Sequence, residues 1–139
     1  MSGTSELGAT FPPFGGPDWT PELEREFLEN TRNGKVGQQL VSETDHLRIW
    51  HIRLKPGERL PFHRHVNDYF WTALAAGKAK SRDSDGHATI VSYQAGATTH
   101  YRYGAGESRF HDLENVGDTE LVFVTVEFLG GVNPALPID

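Results

Sequence analysis

The sequence predicts an all-β domain of antiparallel strands preceded by one short helix. Three observations carry that prediction. From Val36 onward, short apolar runs recur about every ten residues. Turn residues separate them, above all Lys55-Pro56-Gly57 and Asp85-Gly86. Only one stretch, TPELEREFLENTRNG, has the caps and spacing of a helix. At 139 residues the chain suits a single domain that buries about two-thirds of its unfolded surface.

Residues 1–19 are rich in Gly, Pro and Ser and read as an arm. Its Phe11, Phe14 and Trp19 are apolar anchors for the domain or for a neighbouring subunit. In the helix, Thr20 is the N-cap, Pro21 suits the first position, and Asn33-Gly34 is the stop. Leu23, Phe27 and Leu28 give it an apolar stripe for packing. Arm and helix together make residues 1–35, and the β domain runs over residues 36–139. Strands are expected at 47–54, 60–65, 69–76, 79–82, 87–91, 97–103, 108–113 and 119–128. The last of these, with its LVFVTVEF run, needs covered edges, which points to a homodimer.

Composition excludes several functions. With no cysteine, neither a disulfide nor a thiolate metal site is available. A net charge of −6 without a basic block argues against nucleic acid as the partner. No leader and no span-length apolar run is present, so no membrane role and a cytoplasmic location are the expectation.

The chemistry concentrates in PFHRHVNDYFWTALAAG, residues 61–77. On a strand, residues i and i+2 share a face, so His63 and His65 point together. Two imidazoles side by side suit Zn, Fe, Ni or Cu, and Mn where oxygen ligands join them. Gly57 precedes His63 by six residues, Gly77 closes the following strand, and FHDLEN supplies His111 and Asn115. This order, G-x5-H-x-H, then a strand and Gly, then H-x3-N, resembles the two-motif signature of the cupin superfamily over residues 47–128.

The resemblance implies an antiparallel jelly-roll barrel, often dimeric, with a divalent metal ion held inside by residues of both motifs. Carried over position by position, it makes His63, His65 and His111 the metal ligands. The family's first motif places a glutamate after three or four further residues; Tyr69 and Phe70 stand there instead. Its Pro-x-Gly before the third histidine is replaced by GAGESRF.

Three neutral histidines would leave a bound M²⁺ ion its full double charge, which favours anionic or chelating oxygen ligands. An octahedral ion would keep three open positions, enough for a bidentate substrate and dioxygen; a tetrahedral zinc would keep one. Asp68, in the bend between strands, is an alternative fourth ligand, although strand parity favours Tyr69 at the vacated place. Tyr69 reads as a phenol donor beside the metal or as a core aromatic. His100 reads as a base near the site, as another third ligand, or as a solvent-facing residue. Arg53 and Arg102 would bind a carboxylate if they face inward, and water if they do not. Trp71 and Tyr101 would line a pocket or fill a core, and His51 is expected inside. The leading functional expectation is oxidative cleavage or oxygenation of a small anionic substrate at a three-histidine Fe(II) site. The alternatives are a redox-neutral lyase or isomerase using Zn, Ni or Mn, with Tyr69 or His100 moving protons, or a barrel that binds a metabolite without turnover.

Overall fold

The computed structural model describes residues 14–139; Phe11 of the expected arm lies outside them. Helix α1 (Pro21–Glu29) is followed by nine strands: β1 (Gln39–Glu43), β2 (Leu47–Leu54), β3 (Arg59–His65), β4 (Tyr69–Ala73), β5 (Gly77–Arg82), β6 (Ala88–Tyr93), β7 (Thr98–Tyr101), β8 (Arg109–Asn115) and β9 (Leu121–Phe128). A five-stranded sheet runs β1-β2-β9-β4-β7 and faces a four-stranded sheet, β3-β8-β5-β6. Every strand pairing is antiparallel. This is the expected jelly-roll, with the two sheets not joined into a closed barrel. Among the described residues no helix is long and apolar enough to cross a membrane.

Two glycines of the first motif have physical reasons. Gly57 has φ +86°, a left-handed conformation that glycine adopts without a steric penalty, at the turn before β3. At Gly77 a Cβ would sit 2.6 Å from Leu121 Cδ2, so any side chain there would have to displace that buried methyl. Asn115 holds the far turn. Its Nδ2 donates to the carbonyls of Leu54 and Thr119, both at 2.8 Å, and its Oδ1 accepts from Gly117 N.

The core has two parts. Between the sheets lie Ile52, Leu54, Leu60, Ala73, Leu121 and Phe123. Outside the four-stranded sheet, α1 and the segment before it cover Phe62 and Phe110 with Trp19 and Phe27. Trp19 stacks on Phe62 at 5.7 Å, and Phe27 meets Phe110 edge-on at 5.0 Å. Truncating a buried ring such as Phe27 to alanine costs about 3–5 kcal/mol. Thr20 Oγ1 caps the helix by accepting from Leu23 N at 3.2 Å.

Several expectations change. Leu28 is exposed rather than packed. His51 also faces out, because Trp50, Ile52 and Leu54 take the inner face of β2. Strand β1 had no signature of its own; it is an edge strand with only Leu40 half-buried. Both sides of β9 are covered within the chain by β2 and β4, so its edges give no reason for a dimer. The sheet edges are β1, β7, β3 and β6. That of β3 is closed by α1 and the loop after it. Glu26 accepts from Phe62 N at 2.9 Å, Asn30 and Asn33 donate to Phe62 O, and Arg64 N donates to Asn33 O.

Candidate metal centre

The site is built on β3 and β8, and its geometry depends on one irregularity. Leu60 lies opposite Leu113, but the register then slips, so that His63 faces His111 and His65 faces Arg109. The slip spans Pro61, which has no N–H to give the ladder. Regular alternation would put Leu60 and His63 on opposite faces. With the bulge, both line the interior, while Phe62 turns outward beneath the helix.

Three imidazoles thereby converge. One nitrogen from each of His63, His65 and His111 lies within 4.8 Å of the others, and all three side chains are buried. Hydrogen bonds fix two tautomers. His63 Nδ1 is 2.7 Å from Pro61 O, a pure acceptor, so that nitrogen carries the proton. Ser81 Oγ donates to Asp112 O at 2.8 Å and therefore accepts from His111 Nδ1–H, also at 2.8 Å. Both rings are left with an Nε2 lone pair facing inward. His65 Nε2 lies 3.2 Å from His111 Nε2, and His65 Nδ1 is buried without a partner.

These features fit a cation. Two nitrogens bonded to one ion at about 2.0–2.1 Å stand about 2.8–3.4 Å apart between octahedral and tetrahedral angles, and the 3.2 Å between His65 Nε2 and His111 Nε2 falls inside that range. Burial lowers the His63 pKa to about 4. The same desolvation, with smaller contributions from His63 and Arg109, holds His65 and His111 well below the ordinary histidine value. The rings are neutral at physiological pH, the form that binds metal.

The imidazoles open onto a cavity of about 400 Å³. Tyr69 stands where the family places glutamate, and its ring stacks on His65 at 4.0 Å with an 8° tilt. Tyr101 stacks behind it at 4.8 Å. Burial raises the Tyr69 pKa, so its hydroxyl is a donor and not a base. Trp71 also lines the cavity. Asp68 does not reach the histidine cluster; its Oδ1 accepts from Tyr103 N at 2.8 Å.

Three expected residues are elsewhere. Arg53 is exposed and pairs with Glu120 at 3.1 Å. His100 faces out from β7 against Phe70, because Thr99 and Tyr101 occupy the inner face. Arg102 is exposed just past the end of β7, away from the cavity. The residue that sequence reasoning missed is Arg109. It lines the cavity, donates from Nε to Asp83 at 3.3 Å, and lies 5.6 Å from the centre of the Tyr101 ring. Burial opposes its charge, but Tyr69, Asp83 and Tyr101 outweigh that and raise its pKa. The signal was present: Arg109 is two residues before His111 and shares its strand face.

Comparison with known proteins agrees with this picture. No protein-family model matches the chain. Over 102 residues it is 30% identical to the oxalate decarboxylase OxdC of Bacillus subtilis, a match covering 72% of the chain and 24% of that protein. The chain thus spans about a quarter of the length of this curated relative. A cupin domain from Bordetella pertussis superposes with a TM-score of 0.57 at 23% identity, covering 65% of this chain and 88% of that one. A double-stranded β-helix protein from Klebsiella pneumoniae gives 0.55 at 24% identity, covering 79% and 92%. The chain thus has the double-stranded β-helix fold of the cupins it resembles.

Proposed function

We propose that the chain is a metal-dependent enzyme acting on a small oxygen-bearing anion, with oxygenation or oxidative cleavage at a three-histidine Fe(II) site as its chemistry. One observation supports this most: two imidazoles with fixed tautomers and a third at 3.2 Å turn neutral nitrogens to one point at the wall of a cavity. His63, His65 and His111 would hold the ion, which when bound supplies Lewis acidity and, as iron, electron transfer to dioxygen.

The remaining residues orient and shield. Ser81 and the Pro61 carbonyl hold the rings of His111 and His63. Arg109 offers a guanidinium to an anionic group of the substrate. Tyr69 keeps its proton and donates from Oη, and its ring keeps water off one face of His65. Among the described residues the cavity offers no free base for proton abstraction. His100 is outside, Tyr69 is held protonated, and the Asp83 carboxylate is paired with Arg109. That favours oxygenation over isomerisation. A second reading, redox-neutral decarboxylation, has the likeness to OxdC in its favour.

The test is elemental analysis of protein purified without added metal, then dioxygen uptake against small carboxylates and diketones. Iron with substrate-dependent uptake is the expected result. Bound metal with carbon dioxide release and no oxygen uptake would favour decarboxylation. Protein that neither retains nor takes up a divalent ion would overturn both.

A further inference from the structure

The cavity is polar at one end and apolar at the other, and the strand registers fix that order. Along β3 and β8, the rungs pass from His65–Arg109 through His63–His111, and beyond the bulge to Leu60–Leu113. In the facing sheet they pass from Tyr69–Tyr101 through Trp71–Thr99, while Ala73 pairs with Phe123 on β9. At the far end Trp71, Tyr93 and Phe123 meet edge-on, with centroids 5.0–5.5 Å apart. Ile52 and Leu60 extend that apolar wall.

From this polarity we infer that the ligand is an amphiphilic monocarboxylate: one anionic, oxygen-bearing head at Arg109 and the imidazoles, and an apolar tail of several carbons against Trp71 and Phe123. The inference deepens the proposed function and rests on its reading of the cavity as the reaction chamber.

Three features of the cavity support it. First, the guanidinium has five N–H donors, and Asp83 accepts from Nε at a long 3.3 Å. Donors therefore remain for one carboxylate. Second, among the described residues the apolar end has no charged side chain to meet a second carboxylate, and an unpaired buried charge is costly. Third, the volume is that of about a dozen waters at roughly 30 Å³ each. A two-carbon dianion such as oxalate would occupy the polar end and leave the aromatic end unfilled. Likeness to an oxalate decarboxylase therefore does not extend to its substrate.

The test is calorimetric titration of the protein as purified with butanoate, hexanoate, hexan-1-ol and oxalate. Each added methylene should tighten carboxylate binding about fourfold, with oxalate weaker than hexanoate. Arg109→Gln should weaken hexanoate at least about tenfold, the scale of a lost charge-assisted hydrogen bond, and leave hexan-1-ol unchanged. Trp71→Ala should weaken hexanoate more than butanoate. If Arg109→Gln does not fold, Arg109→Lys and the wild-type series decide. Affinity that does not rise with chain length, or oxalate binding tighter than hexanoate, overturns the inference. The two proposals separate cleanly. A flat series in protein that takes up metal ends only this one, and a steep series in protein without metal affinity ends only the metal reading.

Discussion

Strands β3 and β8 have two faces that differ in almost every respect. Inside, His63, His65 and His111 are neutral, and among the described residues no acidic side chain joins their cluster. Outside, the same strands and β5 carry a dense charge network. Asp112 is fully buried and accepts from Arg82 N at 2.7 Å, from the Arg82 guanidinium at 2.8 Å, and from Arg59 Nε at 2.9 Å. Arg59 continues to Glu26 on α1 at 2.6 Å, and Arg82 to Glu114 at 2.8 Å. His111 and Asp112 are neighbours in sequence, yet one belongs to each face. Charge fully met by protein partners holds parts together. Lone pairs left unmet are available to something else. The outer face is occupied with fixing the strands, and the inner face keeps its donor nitrogens unspent.

The largest effect that would break this contrast is on metal binding. His63→Ala, His65→Ala or His111→Ala should each lower metal affinity more than about 100-fold, beyond what partners of ligands contribute, while circular dichroism still reports the β fold. Unfolding of all three variants with loss of β signal would make the inner face structural.

The second test is acid. Burial lowers the folded-state pKa of each of the three histidines, so the unfolded chain takes up protons first. Stability of the metal-free protein is therefore fully present above pH 6.5 and declines as pH falls towards 4. With up to three protons involved, the steepest slope is about 4 kcal/mol per pH unit. Urea midpoints that stay level between pH 7.5 and 5 would contradict neutral burial.

On the outer face, Asp112→Asn should destabilise by about 3 kcal/mol, because two guanidinium groups lose a shared buried carboxylate. A change under 1 kcal/mol in chemical denaturation would show that Glu26 and Glu114 suffice. Ser81→Ala sits between the two faces. It removes the acceptor that fixes His111 and should lower metal affinity by about 10- to 100-fold, with little change in melting temperature. Smallest of all, Arg53→Ala and His100→Ala should each shift stability by less than about 0.5 kcal/mol and leave metal content intact. A loss of metal in either would return it to the site.

Much of the architecture was legible because turns and apolar runs are local signals. The strand over residues 47–54 has the expected bounds, and Asp85-Gly86 does join β5 to β6. Which face a residue takes was harder to read. LRIWHIRL is apolar on both faces, so nothing in it showed that Trp50 and not His51 points inward. The inward and outward readings of Arg53 and His100 stayed open for the same reason: parity places side chains only relative to an anchor. With His111 as that anchor, Arg109 was within reach. The charge network was not, since Glu26, Arg59, Arg82 and Asp112 come from four separate elements. Nothing local in the sequence announces that they meet.

The bulge at Pro61 gives the motif's spacing a mechanical meaning. The interval from Gly57 to His63 counts chain across an irregular rung, so it acts as a gauge of length as much as a string of letters. Pairing the same residues without the irregularity would put Leu60 and His63 on opposite faces and turn both imidazoles out of the chamber, into the aromatic layer under the helix. An extra residue between Leu60 and His63 should therefore be far more damaging than a substitution at Lys55 or Glu58, while loss of the bulged residue alone keeps His63 and His65 on the inner face.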